Sequence, residues 1–266
     1  MAKNKRMDPV SVWLRNRRNK KNANRMKTHF QADGLGVKNK NLSFLEDERF
    51  EKSWAKAVRL NQEGWSKTGK GVPDIRWRAH VCCWAAQNAM NLSGDFVECG
   101  VHTGLLSLTA ADYVELNKSS KRLWLFDTFE GITTDLLSGS EKELAQKNND
   151  NIYFDVYELA KRNFLEFKNA KLIKGRIPQS FSDVDIEQIS YCSIDLNNAL
   201  AENEAIDFLW PKLVKGSIIV LDDYAFSGHE TQYHMWNEFA ASVGQMVLTL
   251  PTGQGLIISN NYGGSE

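Results

Sequence analysis

Between residues 96 and 222 short, β-rich apolar runs alternate with longer helical stretches, and no other feature restricts the fold as strongly. Strands are expected at 96–99, 123–127, 171–174, 191–195 and 217–222, with helices near 104–117, 152–166 and 198–210. Strand–helix units of this length cross over the sheet, which makes neighbouring strands parallel and lays helices on both faces. A further helix is expected near 230–242. Two apolar runs, 246–250 and 256–259, then flank Pro251-Thr252-Gly253-Gln254-Gly255, which has the composition of a turn. The expectation is a doubly wound α/β fold whose seven-stranded sheet holds five parallel strands and a terminal antiparallel hairpin. That pattern differs from the six-parallel-strand dinucleotide fold.

The sheet is preceded by a lead-in of different character. Phe50, Trp54, Ala57 and Val58 repeat at helical spacing, as do Trp77, Val81, Trp84, Ala85 and Ala89. Both helices are read as an N-terminal helical cover over 46–93, belonging to one domain that spans 46–266. Residues 1–45 read as a basic, flexible arm with irregular chain at Gly34 and Gly36. The net charge of the whole chain is zero, yet residues 1–28 carry ten basic residues against Asp8, a net +9, and leave −9 on the remainder. Such an arm suits an acidic surface: phosphate, a membrane, an acidic partner, or the protein's own acidic body. Val10, Val12, Trp13 and Leu14 add the apolar character of a short helix.

The charged fraction of 25% and hydrophobic fraction of 42% are those of an ordinary globular protein. No apolar run approaches the roughly 18 residues of a membrane span, and the N-terminus has no continuous apolar segment of the secretory kind. Cys82, Cys83, Cys99 and Cys192 show no metal-ligand spacing, so reduced, partly buried thiols and a cytoplasmic location are expected.

Three segments could carry chemistry. The first is Phe96-Val97-Glu98-Cys99-Gly100-Val101-His102-Thr103-Gly104, at a strand-to-helix turn. Glycines there let a ligand approach the backbone. The spacing Glu98-x-Gly100-x-x-x-Gly104 departs from the dinucleotide fingerprint, and an acid before the glycine suits a cationic ligand; a purely structural tight turn would use the same glycines. In the second segment Asp127 ends the second strand, where a carboxylate can accept the ribose hydroxyls of a nucleoside or cap the following turn. The third pairs Asp195-Leu196-Asn197 with Asp222-Asp223-Tyr224, at the carboxyl ends of strands expected to be neighbours. Acids gathered there repel one another unless neutralised, and a hard cation such as Mg²⁺ prefers oxygen ligands. Helix capping and solvated loop acids are the plainer alternative.

These motifs, in this order and spacing, resemble the macrocin O-methyltransferase family, and the resemblance covers about Asp74 to Ser259. It implies a Rossmann-like class I methyltransferase sheet, S-adenosylmethionine as donor and a divalent metal, usually Mg²⁺. Matched by motif, it implies Asp195, Asp222 and Asp223 as metal ligands, with Asp195 also a base. It implies Glu98, Gly100 and Gly104 in the first cofactor loop, Asp127 at the ribose, and Gly175-Arg176 near the adenine. Asn197 departs from the family's second acid and cannot act as a base. The lead-in and the 132–150 loop, where acceptor specificity lies, do not transfer.

The resemblance implies a small-molecule or glycan acceptor, a sugar hydroxyl above all, and methyl transfer to it requires loss of one proton. His229 is the preferred histidine base, beside a loop or capping role. His102 is open between packing and ligand contact, His80 between core and substrate lining, and His234 is read as structural. Tyr224 and Trp77 are candidates to line the acceptor. A noncatalytic binding module on the same fold and a nicotinamide-dependent oxidoreductase are the alternatives. Nucleic acid is not expected as a partner, and a homo-oligomer stays open.

Overall fold

The strands at the centre of the protein alternate between two cores, apart from an irregularity between Ile189 and Tyr191. The computed structural model describes residues 29–135 and 137–261, so the basic stretch 1–28, with its short apolar run, lies outside the described residues. The central strands are β3 (Asp95–Cys99), β4 (Leu123–Asp127), β6 (Ile189–Ile194) and β7 (Leu213–Leu221), with β5 (Ala170–Lys174) at the edge beside β4. Phe96, Leu123, Leu125, Tyr191, Ile218 and Val220 point to one face. Val97, Cys99, Trp124, Phe126, Cys192, Ile194, Ile219 and Leu221 point to the other. A period of two with both faces buried requires continuous apolar strands, which is why they were visible as runs.

The first face is covered by α1 (Glu48–Asn61), α2 (Arg76–Ala89) and α3 (Leu105–Tyr113), and the second by α6 (Ala199–Leu209) and α7 (Glu230–Ser242). Two further helices, α4 (Gly139–Asn151) and α5 (Tyr157–Asn163), follow β4. Local chemistry starts these elements where they start. Asp47 caps α1 by accepting the Phe50 amide at 2.9 Å, and Asn198 caps α6 by accepting that of Ala201 at 3.0 Å.

The sheet order is β5-β4-β3-β6-β7-β9-β8, with β8 (Leu248–Thr249) and β9 (Gly255–Ile258) forming the terminal hairpin. β3 to β7 pair in parallel, and β9 runs antiparallel to both β7 and β8. This is the doubly wound, seven-stranded sheet expected from the sequence.

Three local expectations are corrected. Residues 29–38 are not irregular but pair as a hairpin, β1 (His29–Ala32) with β2 (Leu35–Lys38), turning at Asp33 and Gly34. Phe30 is buried against Trp77, which ties the hairpin to α2. The expected 132–150 loop contains α4, whose weak amphipathicity and lone buried residue, Ala145, left no periodic signal. The helix expected at 152–166 is shorter, Tyr157–Asn163.

Candidate active site

The strand order reverses between β3 and β6, and open α/β sheets bind ligands outside the carboxyl ends of the strands at such a point. A cavity of about 640 Å³ lies there. It is lined by Glu98 on β3 and Gly100 after it, Asp127 at the end of β4, Gly175 and Arg176 after β5, Asp195 after β6, and Asp222, Asp223 and His229 after β7. Gly104 is the one predicted cofactor residue not in the lining. It begins α3 with φ +90°, and a Cβ there would stand 2.5 Å from the Phe164 ring, so its need for glycine is one of packing.

Gly100 has a structural reason as well. Its φ is +88°, and a Cβ would come within 1.8 Å of the Asp195 carbonyl oxygen. The β3 and β6 ends can approach this closely only at glycine, and the Asp195 amide completes the junction by donating to the Cys99 carbonyl at 2.8 Å.

Glu98 is buried, and desolvation, with Asp222 and Asp127 adding repulsion, pushes its carboxyl up to about 8. A ligand ammonium would restore its charge. Asp127 already has work to do: Oδ2 accepts the amides of Val101 at 2.6 Å and His102 at 2.7 Å, and Oδ1 accepts that of Phe129 at 2.6 Å. Each carboxylate oxygen can accept about twice; the Thr128 hydroxyl lies 3.4 Å from Oδ1 but gives its one proton to the Gly131 carbonyl at 2.7 Å, so Oδ1 keeps capacity for a ligand hydroxyl. Arg176 reaches outward to Asp135 at 2.8 Å.

The three acids converge: one oxygen from each of Asp195, Asp222 and Asp223 lies within 4.8 Å of the others. Burial, then repulsion from Asp223 and Asp222, holds Asp195 well above the usual carboxylate range, and burial and Asp222 raise Asp223. Asn197 donates to Asp195 Oδ1 at 2.9 Å and so aims this carboxylate. An all-oxygen donor set of this kind fits Mg²⁺. Asp222, however, is already engaged on both oxygens, by Gln254 Nε2 at 2.9 Å and by Arg78 Nη1 at 2.5 Å.

His229 is buried at the cavity wall. Gln232 uses its Nε2 to donate to Glu202 at 2.8 Å, so its Oε1 faces His229 Nδ1 at 2.7 Å and must accept. Nδ1 therefore carries the ring proton and Nε2 the lone pair. Trp236 Nε1 donates to the other oxygen of Glu202 at 2.6 Å, and burial pushes Glu202 up to about 7.

The remaining candidates separate cleanly. His102 lines the cavity beside Trp65 and Tyr153; burial lowers it to about 4, and its Nε2 has no hydrogen-bond partner among the described residues. His80 stacks on Phe44 at 3.8 Å and Trp77 packs between Phe30 and Phe44, both away from the cavity lining. His234 touches Tyr233, and Tyr224 donates to Asn237 at 3.0 Å; neither lines the cavity. Sequence reasoning missed Arg78, Tyr153, Gln232 and Glu202. Only Gln232, three residues after His229 on a predicted helix, carried a local signal.

The solved structure of the O-methyltransferase NovP aligns with a TM-score of 0.66 at 15% identity, covering 82% of this chain and 99% of that one. CalS11, the calicheamicin methyltransferase, aligns at 0.54 and 14% identity, covering 78% and 92%. At such identities these likenesses concern the fold. No curated protein matches the sequence. The profile of the macrocin-O-methyltransferase (TylF) family matches residues 12–245, most of the chain. With its sheet, its switch-point cavity and this match, the chain belongs to the macrocin-O-methyltransferase family and is an S-adenosylmethionine-dependent O-methyltransferase.

Proposed function

We propose that the enzyme methylates a hydroxyl of a sugar or sugar-containing small molecule with the help of Mg²⁺ at Asp195, Asp222 and Asp223. The observation that carries this reading is the shared cavity, lined by Glu98 and Asp127 from β3 and β4 and by the three acids and His229 from the ends of β6 and β7. S-adenosylmethionine supplies an electrophilic methyl carbon, and the metal supplies a Lewis acid that lowers the pKa of a bound hydroxyl. Glu98 pairs with the donor's ammonium, Asp127 Oδ1 accepts from its ribose, and Gly175 and Arg176 border its adenine. Asn197 holds Asp195 in place. We assign the acceptor proton to one of two groups: His229, through Nε2 with its tautomer set by Gln232, or Asp195. Holding donor and acceptor in line supplies most of the rate, and the base a further 10²–10⁴-fold.

A sugar acceptor is supported by the fold likeness to CalS11, which its own structure describes as a TDP-rhamnose 3'-O-methyltransferase. The four buried, unpaired cysteines agree with a reducing compartment, and we place the enzyme in the cytoplasm.

The test is a calorimetric titration of S-adenosylmethionine with Mg²⁺ and with EDTA, followed by mass spectrometry of nucleotide-sugar and glycoside acceptors. The expected product has a methyl group in place of the hydroxyl proton, a net gain of one CH₂, and EDTA abolishes its formation. Turnover that survives EDTA would remove the metal from the mechanism, and methylation confined to non-sugar hydroxyls would remove the acceptor class.

A further inference from the structure

We propose that Arg78 is the resident counter-cation of the acidic cluster and sets its affinity for a divalent ion, because the ion acquires Asp222 only as Arg78 withdraws toward Asp33. This rests on the metal reading above and adds a residue from outside the sheet to it. Arg78 stands in the first turn of α2, in the helical cover, 144 residues from Asp222. Its guanidinium has two acidic anchors. Nε and Nη2 donate to the two oxygens of Asp33 at 2.8 and 3.2 Å, and Nη1 donates to Asp222 Oδ2 at 2.5 Å. The Arg78 side chain is 14% exposed and that of Asp222 2%, while the Phe226 ring lies 5.3 Å from Cζ.

The geometry makes the two anchors unequal in what they can release. The Asp33 contact is a two-bond fork, the strong mode of guanidinium–carboxylate pairing, and survives loss of the third bond. Gln254 occupies Asp222 Oδ1, so Oδ2 is where Arg78 and an incoming ion meet. Two positive groups on one buried oxygen repel strongly. Without a metal, Arg78 neutralises part of a cluster that would otherwise hold three acids in mutual repulsion. With one, the fork on Asp33, in the β1–β2 turn, keeps the displaced guanidinium paired. Arg78 thus links the metal site to the N-terminal hairpin.

The test reads metal binding rather than activity. Mn²⁺ is titrated into the full-length protein, free of donor and acceptor, and free Mn²⁺ is followed by electron paramagnetic resonance. Arg78→Gln should tighten the dissociation constant at least about tenfold, because a competing charge leaves the shared oxygen. Asp33→Asn should weaken it about threefold or more, because Arg78 loses its fork and keeps Asp222 as its hydrogen-bonded acid among the described residues. Arg76→Gln removes the same charge two residues away, from a residue paired with Asp74, and should change the constant less than about twofold. Opposite signs at Arg78 and Asp33 cannot come from general loosening, which weakens both. Unchanged or weaker binding in Arg78→Gln, or equal tightening in Arg76→Gln, would overturn the proposal while leaving the metal site standing. If neither the native protein nor Arg78→Gln binds Mn²⁺, the metal reading fails and takes the proposal with it. Should Arg78→Gln not fold, Asp33→Asn decides: weaker binding supports the proposal, and unchanged or tighter binding overturns it.

Discussion

Replacing Glu98 by Gln should make the protein more resistant to alkaline conditions while stripping it of its donor. Glu98 is 4% exposed at the end of β3, and burial is the chief reason that its carboxyl is pushed up to about 8 from an ordinary 4.5. The folded state therefore holds this proton more tightly than the unfolded chain does. The stability contributed by Glu98 is full below about 4.5, falls as the pH rises through the interval to about 8, and levels off above it. At about 1.4 kcal/mol per pH unit, an interval of about 3.5 units corresponds to at most about 5 kcal/mol. Gln keeps the shape without the charge. Urea unfolding between pH 5 and pH 9 should show the native protein losing several kcal/mol that Glu98→Gln retains. The donor reverses this preference, since its ammonium stabilises the carboxylate. Binding at pH 7 should then release about one proton per molecule in the native protein and none in the variant, as read by calorimetry in two buffers of different protonation enthalpy. The affinity of the variant should fall by about two orders of magnitude or more, the cost of losing one partner of a buried ion pair. Parallel stability profiles for the two proteins, or equal proton release, would refute this account of Glu98.

Three further outcomes follow from single contacts. Asp127→Ala should abolish donor binding and also destabilise the fold by about 2–4 kcal/mol in chemical denaturation, because the amides of Val101, His102 and Phe129 lose their acceptor; loss of binding at native stability would separate the acid from the loop. Gly100→Ala should fail to give a native circular dichroism spectrum, since its Cβ would meet the Asp195 carbonyl at 1.8 Å and its φ is +88°. Gln232→Leu removes the acceptor from His229 Nδ1, so kcat should fall about tenfold with KM for the donor unchanged; an unchanged kcat would take His229 out of the proton path.

What the sequence determined by itself is what neighbouring residues decide together. The strands β3, β4, β6 and β7 were legible because both of their faces are buried, which demands uninterrupted apolar runs. Glu98, Asp127, Asp195 and Asp222 were legible as site candidates because each ends or directly follows such a strand, and a parallel sheet delivers all such ends to one edge. Gly100 and Gly104 stood out as glycines, although the structure gives both a packing reason: one meets the Asp195 backbone and the other the Phe164 ring. Helix α4 left no trace, because only Ala145 on it is buried and a helix without an apolar face has no period to detect.

Tertiary structure alone decided which groups these acids meet. Arg78 reaches Asp222 across 144 residues, Asp33 joins it from a hairpin, and Gln254 arrives from the terminal turn. Asp127 spends three acceptor positions on backbone amides that no spacing reveals, and the His229 tautomer depends on Glu202 from another helix. The physical reason is common to all of them. Backbone periodicity and strand ends are set within a few residues, whereas the charge and protonation of a buried side chain are set by whatever the packing of distant elements places beside it.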